Sequence, residues 1–258
     1  MKSLPMPTLT QPSDRPDAVC AIFRARVSNH WYLPFKNTVD FALAVALLIC
    51  LAPLILFLMA LVRLTSAGPA LYWQVRLGLN GRSFRIYKLR TMAHECERLT
   101  GPRWSTAGDP RVTRLGRVLR RCHLDELPQL WNVLRGEMSL VGPRPERPEI
   151  VQELERVVPE YRERITVRPG ITGLAQVQLP PDEDVVKVRR KVACDLYYIA
   201  RMGPWLDVRI LAATVLKVAG VPAAWRRSLF SRSVGPVDAA QPEPAHQLDT
   251  LLAFSETR

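Results

Sequence analysis

Asp125 and Glu126 stand side by side just ahead of Pro128. Proline is tolerated in a helix only within the first turn, so the acidic pair is expected at a helix amino end. There the helix dipole and unpaired N–H groups favour the ionised carboxylate. An ionised carboxylate can attack phosphorus and divide one difficult displacement into two easier ones. Consecutive helical residues point about 100° apart, so the two acids cannot both lie on one reacting atom. One is placed to attack while its neighbour holds a divalent cation. Mg²⁺ suits that role, because it takes oxygen ligands and is commonly held by one or two carboxylates together with substrate phosphates. Lys88, Arg90, Arg120 and Arg144 are candidates for shielding such a phosphate. Taken alone, an aspartate before a helical proline is a cap more often than a nucleophile, and these residues by themselves leave both readings open.

The elements that would position these groups can be read around them. Asn80-Gly81, within the β-favouring stretch from Ala70 to Met92, predicts a hairpin. Alternation along its second strand would put Lys88 and Arg90 on one face, where two cations can clamp a phosphate. After Asp109-Pro110, the residues Val112, Leu115, Val118, Leu119 and Cys122 recur at helical spacing, with Arg114, Arg117, Arg120 and Arg121 off that stripe. Leu127, Leu130, Trp131 and Leu134 predict the helix that starts at the acidic pair, and Gly136 is its expected stop. Further on, Ile150, Leu154, Val157 and Tyr161 predict another helix, Ile171 to Val177 an extended piece after Pro169-Gly170, and 185–200 and 205–218 two more helices. The last of these, opening on Trp205, fits a helix lying in a lipid interface and fits core packing equally well.

Charge and apolar content place this domain beside a membrane. Phe41 to Val62 is a run of 22 uncharged residues, long enough for the hydrocarbon thickness of a bilayer. It starts too late and runs too long for a secretory signal. Pro53, after Ala52, lies in its middle and should kink the helix. Arg24, Arg26 and Lys36 precede the run and Arg63, Arg76, Arg82 and Arg85 follow it, so both ends favour the cytoplasm. A re-entrant helix would satisfy that, and a plain span tolerates proline as well. Of the net charge of +12 over 258 residues, the stretch from Arg63 to Arg121 carries most, with thirteen Lys or Arg against Glu95, Glu97 and Asp109. An anionic partner is indicated: headgroups, a phosphorylated substrate, or both. Nucleic acid is the rival reading of a basic, arginine-bearing helix. It leaves the apolar run unexplained, so no nucleic-acid partner is expected. The five cysteines form no CxxC pair and read as reduced thiols. The organisation that follows is an N-terminal tail over 1–35, a membrane helix over 36–66, a catalytic domain over 67–220 and a C-terminal tail over 221–258.

Three stretches carry a resemblance. DELPQLWNVLRGEMSLVGPRP at 125–145, GPALYWQVRLGLNGRSFRIYKLRTM at 68–92 and RPGITGLAQV at 168–177 together resemble the bacterial sugar transferases of the monotopic phosphoglycosyl transferase family, over about residues 39–218. The resemblance implies an α+β, mainly helical, membrane-associated fold with a Pro-broken re-entrant helix, interfacial amphipathic helices and a small β-hairpin. It implies transfer of a phospho-sugar from a UDP-sugar to polyprenyl (undecaprenyl) phosphate, releasing UMP, as the first step of exopolysaccharide, capsule, O-antigen or glycoprotein glycan assembly. By similarity, Asp125 is the nucleophile of a covalent phospho-sugar intermediate, and Glu126 assists beside it at the Mg²⁺ site. Arg120, and Arg144 between Pro143 and Pro145, match positions that bind phosphate, and Lys88 and Arg90 match a basic strand motif. The expected location is the cytoplasmic face of a bacterial inner membrane. Inner-membrane lipid, a second copy in a homodimer and downstream glycosyltransferases are the further partners it implies. The chain departs from the family pattern at Ala52, where a serine usually precedes the proline, and at His123, where a serine is common.

Overall fold

The structure is a computed structural model that describes residues 31–94, 96, 108–179 and 185–230. Most of both expected tails, and Glu95 and Glu97 of the basic stretch, lie outside the described residues.

The apolar run folds as one helix, α1 (Tyr32–Thr65), with Pro53 inside it. It starts a turn earlier than the sequence reading placed it, because Tyr32, Lys36, Asp40 and Ala44 form a buried stripe at a spacing of one turn. The helix is long and apolar enough to cross a membrane. Large side chains along it face outward, Ile49 being 71% exposed, Leu56 64% and Phe57 58%. Both of its limbs nevertheless pack on the same body. Tyr32 and Ala44, with Leu33, Leu48 and Leu51, join the main hydrophobic cluster. Beyond Pro53, Leu58 and Val62 pack against Leu89 and Leu119.

The expected hairpin follows, β1 (Leu71–Leu77) antiparallel to β2 (Ser83–Leu89), with Tyr72 opposite Lys88. Asn80 (φ 54°) and Gly81 (φ 76°) supply the positive φ of its tight turn. Helix α2 (Arg114–Arg121) is capped by Thr113, whose hydroxyl accepts from the Gly116 N–H. Its apolar stripe is split relative to the sequence reading. Leu119 is buried, whereas Val118 is 56% exposed, because α2 meets the domain along the narrow line of Gly116 and Leu119. A 3₁₀ helix (Leu124–Gln129) then carries the acidic pair in its first turn and runs into α3 (Leu130–Leu134), which ends at Gly136 with φ 70° as expected.

Strand β3 (Ser139–Val141) pairs in parallel with β4 (Gly170–Thr172). Between them lie α4 (Pro148–Val157) and a 3₁₀ helix (Pro159–Thr166), so Tyr161 sits on a separate element from Leu154. Pro159 breaks the predicted helix between them. The extended reading of 171–177 is also shortened, since residues after Gly173 coil into α5 (Leu174–Gln178). Helices α6 (Val185–Arg201) and α7 (Pro204–Val218) follow as read. The stretch taken as a tail from 221 contains a further short helix, α8 (Ala223–Ser228), after which Phe230 is buried in the main cluster.

A buried polar knot ties the first limb of α1 to this domain. Lys36 and the Tyr32 hydroxyl both bond Oδ2 of Asp207, on α7, at 2.5 and 2.7 Å. The Tyr198 hydroxyl donates to its Oδ1 at 2.8 Å, and Ser139 donates to Asp40 at 2.5 Å. Charges in this position are retained only when paired and hydrogen-bonded, so the knot makes the seating of α1 specific.

Candidate active site

The acidic pair is held differently at its two members. Glu126 is clamped: Lys88 Nζ and Arg144 Nη2 each donate to its Oε1 at 2.7 Å, while Arg144 Nη1 reaches Oε2 at 3.4 Å. Burial by itself would raise its pKa, but Arg144 and Lys88 outweigh that and hold it well below the ordinary carboxylate range. Asp125 is 7% exposed and has no hydrogen bond or ion pair among the described residues. Burial raises its pKa, opposed by the charges of Lys88, Arg120 and Arg144. The downward shift expected from a helix dipole at Asp125 is therefore outweighed by burial. The element under it is a short 3₁₀ turn, and the cost of desolvating the carboxylate exceeds what that turn returns.

Three devices position these groups. Asn132, fully buried on α3, donates to the Arg85 carbonyl at 2.7 Å and accepts from the Tyr87 N–H at 3.2 Å. This clamps the edge of β2 to the helix that follows the acidic pair, and so brings Lys88 to Glu126. Gly116 allows α2 to approach the loop after β2 so closely that an added Cβ would lie 2.0 Å from the Thr91 carbonyl oxygen. Arg120 Nε then donates to Thr91 Oγ1 at 2.8 Å, and its charge acts on Asp125.

The third device fixes the loop bearing Arg144. Pro143 and Pro145 are buried on either side of it. The Pro143 carbonyl accepts from the Gly170 N–H at 2.9 Å and the Pro145 carbonyl from Arg76 at 3.2 Å. Arg164 donates to the Arg144 carbonyl at 3.0 Å and to Asp195 at 2.6 Å. The next residue, Glu146, pairs with Lys191 at 2.7 Å and Arg76 at 3.1 Å. Burial opposes its ionisation, yet these cations and Arg164 bring its pKa down to about 2. The prolines thus serve through fixed φ and anchored carbonyls.

The structure brings Lys88, Arg120 and Arg144 to the acidic pair but takes Arg90 elsewhere. β2 ends at Leu89, and Arg90 donates to Ser66 O and Ser66 Oγ at 2.7 and 2.8 Å, at the end of α1. Asn132, Glu146, Arg164 and Asp195 were missed in the sequence, since nothing in local spacing marks them. His123 is the partial exception. It stands next to the site in the left-handed region (φ 56°), with its Nδ1 buried and unpartnered. Burial lowers its pKa, as does the charge of Lys217.

A long, mostly exposed apolar helix seated on a mainly helical domain is compatible with membrane association, and the domain carries an acidic pair among cations. The chain belongs to the bacterial sugar transferase family, whose model matches residues 31–220. It is 41% identical over 217 residues to the undecaprenyl-phosphate glucose phosphotransferase of Komagataeibacter xylinus, covering 82% of this chain and 39% of that protein. Over 184 residues it is 43% identical to an Aeromonas hydrophila protein, UDP-N-acetylgalactosamine-undecaprenyl-phosphate N-acetylgalactosaminephosphotransferase, covering 71% and 43%. It is 46% identical over 184 residues to the UDP-glucose:undecaprenyl-phosphate glucose-1-phosphate transferase of Caulobacter vibrioides, covering 70% and 68%. The chain spans less than half the length of the first two of these relatives.

Proposed function

We propose that this protein transfers a phospho-sugar from a UDP-sugar to a polyprenyl phosphate, undecaprenyl phosphate by the relatives' names, as the membrane-committed step that begins a glycan. The observation that carries this reading is the unbonded, buried carboxylate of Asp125, facing Lys88, Arg120 and Arg144. A raised pKa makes that carboxylate more basic, and so a better nucleophile once ionised. Its oxygen attacks the sugar-bearing phosphorus of the donor; the bond to the bridging oxygen breaks and UMP leaves with that oxygen. A phosphate oxygen of the polyprenyl phosphate then attacks the same phosphorus. The acyl-phosphate bond breaks, Asp125 recovers its carboxylate, and a polyprenyl diphosphate sugar is formed. Arg120 and Arg144 balance charge on the transferring group. Glu126, paired with Lys88 and Arg144, sets where those two cations stand.

Among the described residues no three metal-ligating side chains gather, so a cation here would need substrate phosphate oxygens to complete its shell. That is the ordinary habit of Mg²⁺, and Asp125 together with Oε2 of Glu126, which carries only the 3.4 Å approach of Arg144, fits such an ion. When bound it would supply neutralisation of phosphate charge.

The donor is soluble in water and the acceptor chain stays in the lipid, so the site must lie at the headgroup plane. The packing of both limbs of α1 on one domain supports a helix that enters and leaves on the same side, on the cytoplasmic face of the inner membrane; α1 runs as one helix through Ala52-Pro53, so the turn this needs would be a bend at the proline. Single cysteines placed before Trp31 and after Phe230 should both react with an impermeant reagent only once the cytoplasmic side is opened. Labelling from opposite sides would replace this topology by a span.

The relatives' names differ in the sugar, so the donor is found by assay. Purified protein, polyprenyl phosphate, Mg²⁺ and a panel of UDP-sugars should release UMP with one or a few donors. With acceptor withheld, intact mass should rise by one phospho-sugar, located on Asp125. An adduct on another residue, or UMP release with none, would remove the nucleophile assignment.

A further inference from the structure

Helix α7 has two faces. Trp205, Val208 and Val215 are 67%, 54% and 68% exposed along one side, while Asp207, Ile210 and Ala213 are buried on the other. Lys217 continues the inner side into the last turn and is only part-exposed. Its Nζ donates to the Gln176 carbonyl at 2.9 Å, and it forms no ion pair with a carboxylate among the described residues. The charges in its range are Arg226, Arg144 and Glu126. Arg226, on α8, is fixed by the carbonyls of Val177 and Val221 at 3.0 and 3.1 Å. Across from Lys217 lies His123, with its unpartnered Nδ1.

Lys88 and Arg144 are already engaged by Glu126. Lys217 and Arg226 therefore add positive charge that forms no ion pair with a carboxylate among the described residues, on the helix whose outer stripe is apolar and on α8 after it. Resting on the transfer reaction proposed above, we infer that Lys217, backed by Arg226, is the subsite for the phosphate of the lipid acceptor. An anion whose tail lies in the bilayer arrives along α7 and meets Lys217 within range of Glu126 and Arg144. The nucleotide of the donor arrives from water and has no need of that helix.

The test uses the full chain in detergent–lipid micelles with undecaprenyl phosphate, and with UDP-glucose or whichever UDP-sugar the panel selects. Lys217→Met should raise KM for undecaprenyl phosphate on the order of 10- to 100-fold, the usual effect of losing a charged hydrogen bond. KM for the UDP-sugar and the amplitude of acceptor-free UMP release should keep their wild-type values. Lys217→Arg should restore most of the acceptor affinity. An unchanged acceptor KM, or a defect confined to the donor or to the acceptor-free release, would overturn the assignment. If the wild type itself gave no acceptor-free UMP, the covalent route would fall, and the acceptor KM of Lys217→Met against wild type would still decide on Lys217.

Discussion

Asp125→Asn is expected to lower sugar-phosphate transfer on the order of 10⁴-fold or more, the scale seen when a covalent nucleophile is removed, while the protein still folds and associates with membrane. Steady-state UMP release with and without acceptor measures this; turnover within tenfold of wild type would exclude residue 125 as the nucleophile. The variant should be no less stable than wild type at neutral pH. Burial raises the folded-state pKa of Asp125, so the protonated form is the one that the fold favours. The stabilisation is complete below the ordinary carboxylate value and is lost as pH rises through the raised one; an amide removes that loss. The same shift moves the acid limb of kcat/KM upward from the ordinary aspartate value. Glu126, held low by Arg144 and Lys88, stays charged across that limb, so the part of the limb owed to Asp125 should vanish from any residual activity of the Asn variant.

Arg164→Met is expected to produce the largest loss of stability. Arg164 and Asp195 form an ion pair at 2.6 Å with side chains 4% and 2% exposed. Removing one partner of such a pair costs about 3–5 kcal/mol, because the other charge is left buried without compensation. For a chain of this size the thermal midpoint should fall on the order of 10 °C. An unchanged midpoint would mean that the pair is not formed in solution. Arg164 also holds the carbonyl of Arg144 at 3.0 Å, so turnover should drop at temperatures where the variant remains folded. Arg164→Lys separates these roles. It restores a charge for Asp195 and part of the stability, but a single ammonium cannot reproduce both bonds of the guanidinium fork, and turnover should stay impaired.

The features legible in the chain were those with local causes. Asn80-Gly81 announced the hairpin because positive φ is a property of two residues. Pro128 marked the approach to regular α-helix, which begins two residues after it, whereas the acidic pair ahead of it coils as a 3₁₀ helix. The uncharged run from Phe41 to Val62 announced the apolar helix because its length alone matches a bilayer. Lys88 and Arg144, expected among the cations around the acidic pair, do bond Glu126. Arg90 shows the limit of local reasoning. Strand alternation put it beside Lys88, yet the strand stops one residue earlier and the guanidinium turns to Ser66.

The chain by itself determined which segments coil, most of where they stop, and where apolar surface and positive charge concentrate, because periodicity, proline and charge act over a few residues. Only the tertiary structure decided the chemistry within the pair. Asp125 and Glu126 are adjacent in sequence and alike in type, but cations from β2 and from the loop after β3 bond Glu126 alone and reach Asp125 only through their charge, leaving its carboxylate desolvated and without a hydrogen bond among the described residues. Electrostatic environment is a sum over groups far apart in the chain, and no reading of neighbours along it can supply that sum.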